Sequence, residues 1–271
     1  MFGQGSARIR FDWGLTGARA LRGAAPPGDA GLLAVVVDVL SFTTSVSVAV
    51  DRGVEVFPFP WRDERAAEHA RRHRATLAGA RSERGVSLSP ASLRRAPGLS
   101  RVVLPSPNGS TISLSLADDG GGLVVAACLR NARAVGAYVT RFLDEDPGHA
   151  VVVVAAGERW PDGSLRPAVE DLWGSGAVLG AIEGHEHDLS PEAEVAAAAF
   201  RSACGGPDGG SGADVLRDRL ARCVSGRELA REGFGTDAEI AAELDASDLV
   251  PVLVDGRFVG RGAGEPGRAA G

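Results

Sequence analysis

Apolar runs alternate with amphipathic segments along most of the chain. Six runs have strand length and composition: ARIRF (7–11), LLAVVVD (32–38), VEVFPF (54–59), RVVLP (101–105), GLVVAA (122–127) and AVVVVAA (150–156). Between them, helical spacing predicts helices over 42–52, 63–74, 109–117 and 131–145. Helical segments then dominate from Val169 to Leu244, and PVLVDGRFV (251–259) returns as a strand pair around an Asp-Gly turn. The alternation predicts an α/β fold with three layers, α/β/α, a mostly parallel or mixed central sheet and a helix-rich C-terminal half. One domain over 1–262 is expected, its α/β core at about 7–160 and its helix-rich part at about 165–262, followed by a flexible tail at 263–271. Gly and Pro punctuate the loops 22–31 and 205–213 and the tail from Gly260.

The strand ends carry the polar chemistry. LLAVVVD closes a wholly apolar run on one carboxylate, Asp38, followed by Ser41, Thr43 and Thr44. A charge there is costly unless water, a cation or hydrogen-bond donors receive it, so Asp38 either caps the next element or works chemically. RVVLP leads to SPNGST with Asn108, Gly109 and Ser110, GLVVAA leads to CLRNA with Asn131, and AVVVVAA leads to Glu158. In an open parallel sheet the strand carboxyl ends share one edge, where ligands bind, so these four loops are expected to converge. Helix amino termini offer N–H groups to an anion, although Asn, Ser and Thr are also common helix caps. Glu170 and Asp171 open the segment VEDLWGSGAVLGAIE, and neighbours on a helix point in different directions, so one of the two is expected to join Asp38 and Glu158. Such an oxygen-rich set suits Mg²⁺, held by a few carboxylates, waters and a substrate phosphate.

Composition narrows the classes. The chain has 271 residues, 44% of them hydrophobic and 24% charged, and its apolar runs are too short to span a bilayer. Net charge is −6, and every basic residue among the 29 Lys and Arg is an Arg, scattered among acids, so neither nucleic acid nor a membrane is an expected partner. The three cysteines, Cys128, Cys204 and Cys223, lack CxxC spacing, and the start lacks an apolar core behind its charges, so a reducing cytoplasm is expected. Cys128 and Arg133 are separated by four residues where a thiol phosphatase loop needs five. The GHEHD cluster with His185, His187 and Asp188 reads as a solvated loop. There is no GxGxxG after a strand, no Walker GKS or GKT, and no second acid two residues after Asp38.

Taken in order, DVLSFTTSVSVAVDRG, LPSPNGST, CLRNARAV, AAGE and VEDLWGSGAVL resemble the 2-phosphosulfolactate phosphatase family of Mg²⁺-dependent phosphatases, from about Leu32 to Ile182, with VSLSP and PVLV as weaker echoes. The resemblance implies a cytoplasmic phosphomonoesterase that converts (2R)-2-phospho-3-sulfolactate to 3-sulfolactate and phosphate on a route to coenzyme M. Carried over by position, it makes Asp38 the central acid, Glu158, Glu170 and Asp171 the others, and Asn108 to Ser110 and Asn131 the polar loop groups. The roles then expected are catalysis by Asp38, Glu158 and Glu170, Mg²⁺ binding by Asp38, Glu158 and Asp171, and phosphate or substrate binding by Ser41, Thr43, Thr44, Asn108, Gly109, Ser110, Asn131 and Arg81.

The chain departs from the family pattern at two guanidinium positions: Ser41 and Phe42 stand where Arg-Ala is usual after Asp-Val-Leu, and Thr111 stands where an Arg follows Asn-Gly-Thr. Arg81, in Gly-Ala-Arg where the family has Gly-Glu-Arg, together with Arg130 and Arg133, are the candidates to compensate. The leading expectation is a phosphatase acting on this or a related small phosphorylated hydroxy acid, with a homodimer as the base-rate assembly. The alternative is a family member that binds such a ligand without hydrolysing it.

Overall fold

The computed structural model describes residues 4–5, 7–23, 31–83, 85–118, 122–205 and 211–265. The expectations for most of the 22–31 and 205–213 loops and for the end of the tail lie outside the described residues. The first half runs β1 (Ile9–Trp13), α1 (Gly14–Gly23), β2 (Leu32–Val37), α2 (Phe42–Asp51), β3 (Glu55–Phe59), α3 (Glu64–His73), β4 (Thr76–Leu77), α4 (Pro90–Arg95), β5 (Arg101–Pro105), α5 (Gly109–Asp118), β6 (Leu123–Ala127), α6 (Ala132–Glu145) and β7 (Ala150–Ala155). It continues with the short pair β8 (Glu158–Arg159) and β9 (Leu165–Arg166), then α7 (Val169–Leu179), α8 (Pro191–Cys204), α9 (Gly212–Arg222), α10 (Val224–Arg231) and α11 (Gly235–Ala241). The chain ends in the hairpin β10 (Leu249–Val254) and β11 (Arg257–Gly262).

Nine strands form one mixed sheet in the order β1-β7-β2-β6-β10-β11-β3-β5-β4. Strands β1, β7, β2 and β6 are mutually parallel, as are β3, β5 and β4. The C-terminal hairpin lies between these two sets and is antiparallel to both neighbours. The α/β core therefore includes residues 249–262 as well as the first part of the chain. Strand β2 is buried at every residue, as are β6 and β7, which is why these runs do not alternate. Helices α6, α7 and α8 pack on one face, α1 and α5 on the other, and α2 packs with β3, β5 and β11 around Phe42 and Phe258.

Three strands end level: Val37 pairs with both Ala127 and Ala155, so the chain leaves the sheet together at Asp38, Cys128 and Ala156. The expectation of one shared edge for all strand ends needs correction, because the hairpin makes the β3, β5, β4 set run in the opposite sense to β2. The loop after β5 nevertheless reaches the end of β2. A twist of roughly 20–25° per strand step accumulates to about 100–125° over the five steps from β2 to β5, which undoes much of the reversal.

Predicted and observed helices agree within a residue or so at 42–51, 64–73, 109–118 and 132–145. Asp63 caps α3 by accepting from the Arg65 N–H at 3.0 Å. Helices α1 and α4 were not expected: α1 carries glycines at 14, 17 and 23, which weaken the helical signal, and α4 has only six residues. Among the described residues no helix is long and apolar enough to cross a membrane.

Candidate active site

The loop after β2 closes on itself. The Thr43 N–H and hydroxyl both donate to the Asp38 carbonyl, at 2.8 and 2.7 Å, and the Thr44 hydroxyl donates to the Val39 carbonyl at 2.7 Å. Both threonines are fully buried, so the hydroxyls expected to meet an anion are instead spent on the turn that starts α2. This turn aims the Asp38 carboxylate across the sheet edge, where Oδ1 accepts from the Phe42 N–H at 3.2 Å and Oδ2 from the Gly109 N–H at 2.9 Å. Gly109 is required here, since a Cβ would lie 2.4 Å from Phe42 Cδ1 and 2.7 Å from Asp38 Oδ2. Ser110 is buried and donates to the Leu104 carbonyl at 3.0 Å, holding the start of α5 on its own strand.

Glu158 begins β8 beside this loop, and its Oε2 accepts from Asn108 Nδ2 at 3.0 Å. Asn108, Glu158 and Thr111 line a cavity of about 290 Å³ with Trp13 and the start of α1. Glu170 and Asp171 are both buried in the first turn of α7, 2% and 3% exposed. They do different things. Asp171 accepts from the Val39 N–H at 2.7 Å and the Gly157 N–H at 2.9 Å, tying the loops after β2 and β7 together. Glu170 lies against the Cys223 thiol and close to Asp38 and Glu158.

The electrostatics follow from this crowding. Burial pushes the Asp38 carboxyl up to about 6, with the Glu170 charge adding to the rise and the Phe42 and Gly109 N–H groups and Arg81 opposing it. Burial and the neighbouring Asp38 and Glu170 charges push Glu158 up to about 7, against Arg166 and Asn108. Asp171 is raised by burial and then by Asp38 and Glu170, with its Val39 hydrogen bond working the other way. Among the described residues no three His, Cys, Asp or Glu groups form a ready-made metal-ligating set. Two hard carboxylates with room for water and phosphate oxygens still fit Mg²⁺, which usually takes only one or two protein carboxylates. Asp38 and Glu158 meet that description; Asp38 and Asp171 each accept one N–H at both oxygens, and the two donors to Asp171 belong to the loops after β2 and β7, which it ties together.

The polar and cationic candidates divide. Asn131 is fully buried: it accepts from the Cys128 N–H at 2.8 Å and donates to the Ala126 and Leu249 carbonyls, joining β6 to the C-terminal hairpin. Arg130 is buried between Asp51 and Glu243, and Arg133 is exposed beside Asp248. Neither compensates for a lost guanidinium. Arg81 does reach the site, donating from Nη2 to Ser41 Oγ at 2.7 Å, so a guanidinium from another loop touches the hydroxyl at the first departure. Arg166 was not foreseen. It lies near Glu158, stacks over Trp160 at 5.8 Å and pairs with Glu228 at 3.7 Å; its place on the short pair β8–β9 gave no periodic signal. Cys128 is a buried thiol raised by burial, and His185 pairs with Asp188 and Asp144 outside the site.

The comparison with known proteins falls on the same segments. A family model described as 2-phosphosulpholactate phosphatase matches residues 23–256. The chain is similar to the 2-phosphosulfolactate phosphatase of Methanothermobacter thermautotrophicus, 30% identical over 232 residues, covering 83% of this chain and 88% of that protein. It is also similar to the probable 2-phosphosulfolactate phosphatases of Deinococcus radiodurans, 29% identical over 245 residues (85% of this chain, 91% of that protein), and Carboxydothermus hydrogenoformans, 30% identical over 235 residues (83% and 88%). Since the match spans every strand-end loop that meets at Asp38, and most of the chain besides, this protein belongs to the 2-phosphosulpholactate phosphatase family.

Proposed function

We propose that the chain is a Mg²⁺-dependent phosphomonoesterase that hydrolyses (2R)-2-phospho-3-sulfolactate to 3-sulfolactate and phosphate. Family membership supports the substrate, and one observation carries the reaction class: Asp38, Glu158 and Glu170 lie close together in a buried site, where burial first and their mutual charge second raise Asp38 and Glu158, an arrangement that a cation relieves. When bound, Mg²⁺ would supply Lewis-acid neutralisation of the phosphoryl oxygens.

Asp38 and Glu158 are the carboxylates that would hold the ion. Both Asp38 oxygens accept backbone N–H groups, which fixes them and makes them poorer nucleophiles, favouring a ligand role over covalent attack. A water then supplies the attacking oxygen. Its bond to phosphorus forms as the ester P–O bond breaks in line, and the electron pair leaves with the substrate hydroxyl oxygen. Glu170 accepts the proton of that water at a carboxylate oxygen, and solvent or Glu170 returns a proton to the leaving oxygen. The first-turn N–H groups of Ser110 and Thr111, which have no partner within α5, face developing phosphoryl charge, and Asn108 fixes Glu158. Arg81 and Arg166 are guanidinium groups whose charge acts on Asp38 and Glu158, and they offer the sulfonate and carboxylate that positive charge.

The test is phosphate release from 2-phospho-3-sulfolactate by the purified protein with added Mg²⁺ and with a chelator. Release that depends on Mg²⁺ is expected. Full activity in chelator removes the proposed metal role, and binding without release at saturating Mg²⁺ removes the enzymatic reading.

A further inference from the structure

Arg81 is held from behind by a part of the chain far away in sequence. Its Nε donates to Asp237 Oδ2 at 3.3 Å, Asp237 lies in α11, and the guanidinium lies 5.8 Å from the Phe234 ring centroid. Asp237 is 1% exposed and is itself fixed at Oδ1, where Ser89 Oγ donates at 2.5 Å and the Ala91 N–H at 3.3 Å. Ser89 caps α4, so the start of that helix braces the carboxylate. On the other side Nη2 reaches Ser41, three residues from Asp38. Nη1 has no acceptor among the described residues, and the Arg81 side chain is 22% exposed. The loop that carries Arg81 is anchored separately, by the Gly79 N–H to the Val86 carbonyl at 2.9 Å and the Ala80 N–H to Glu83 Oε2 at 3.2 Å.

Resting on the phosphatase reading, we propose that Asp237 is a positioning residue: with Ser41 it clamps the Arg81 guanidinium so that the unused Nη1 edge meets an anionic group of the substrate. A fixed planar guanidinium recognises a carboxylate, sulfonate or phosphate at lower entropic cost than a free side chain. Asp237 balances the Arg charge without reaching the reacting atoms, and a fixed cation beside Asp38 opposes the repulsion a multiply charged anion meets there. The clamp also gives the Ser41 departure a purpose, because a short hydroxyl leaves space for Arg81 and accepts its hydrogen bond.

The experiment measures binding of the two products, inorganic phosphate and 3-sulfolactate, by calorimetry with Mg²⁺ present, so that it needs no turnover. Wild type is compared with Asp237→Asn, Arg81→Gln and the double variant. The expected result is a tenfold or greater loss of affinity for at least one product in each single variant, with the double variant no worse than Arg81→Gln, and for Asp237→Asn a KM that rises while kcat stays within about threefold. An affinity within twofold of wild type in a folded Asp237→Asn protein overturns the proposal. So do losses that add in the double variant, or a wild type that binds neither product. If Asp237→Asn does not fold, Ser89→Ala releases Oδ1 while keeping the charge; a two- to fivefold loss is expected, and no change overturns the proposal. Wild type that binds but does not hydrolyse refutes the enzymatic reading and leaves the clamp measurable.

Discussion

The two walls of the site are built by different means. In the wall of strand ends, Asp38 and Asp171 are pinned by backbone amides, accepting from the N–H groups of Val39, Phe42, Gly109 and Gly157, and Glu158 is held beside them by the Asn108 side chain. The C-terminal wall reaches the site through side chains alone, Asp237 to Arg81, Glu228 to Arg166 and Cys223 to Glu170. Backbone hydrogen bonds fix an acid to within a rotamer and survive changes in neighbouring side chains, whereas ion pairs place a cation that substitution can move. Under the proposed function the reaction belongs to the first wall together with Glu170, and the choice of anion to the cations of the second.

Asp38→Asn breaks the first wall at its centre. It is expected to lower kcat by about 10³-fold, roughly 4 kcal/mol, while the cooperative thermal transition persists. Asp171→Ala tests whether that wall is scaffold or ligand: it strands two buried N–H groups and is expected to cost about 3 kcal/mol by denaturant unfolding. A stable variant that loses only Mg²⁺ affinity would reverse the assignment of Asp171. Gly109→Ala drives a methyl into Phe42 and Asp38, with an expected loss of about 2 kcal/mol and a fall in kcat, measured on the same samples.

The acid cluster gives a test with a defined sign. A carboxyl raised in the folded state favours folding fully below its unfolded value and loses that contribution as pH rises through its folded value. For Glu158 the window runs from about 4.5 to about 7. In chelator, Glu158→Gln should match wild-type stability near pH 4 and exceed it at pH 8 by on the order of 2 kcal/mol, and Mg²⁺ should abolish the difference. Equal stabilities at pH 8 in chelator would show that the cluster carries no such strain. The smallest effect is expected from Thr44→Val, which removes one buried hydrogen bond to Val39, costs about 1 kcal/mol and leaves KM unchanged if the hydroxyl serves only the turn. A large rise in KM would restore its expected anion role.

The strands, the helices over 42–51, 64–73, 109–118 and 132–145 and the acids at 38, 158, 170 and 171 were legible because apolar period and strand-end position are local properties. The short elements were not: β8–β9, which carries Arg166, has too few residues for a period, and α1 hides behind its glycines. Polar loop residues were read as one class, yet Asn108 reaches Glu158, while Asn131 and both threonines satisfy backbone groups. Residue type says that a hydroxyl or amide needs a partner, and only the packed chain says which.

The sequence by itself determined the layered α/β class and a carboxylate at the end of a buried strand, because burying a run such as LLAVVV on both faces leaves little choice of structure. Tertiary structure decided that the final hairpin lies inside the sheet, that Asp171 holds loops together while Glu170 faces the acids, and that Arg81 stands at Ser41 braced by Asp237. These pairings join residues up to 202 positions apart. Their partners are chosen by which surfaces meet when the layers close, a property that no window along the chain contains.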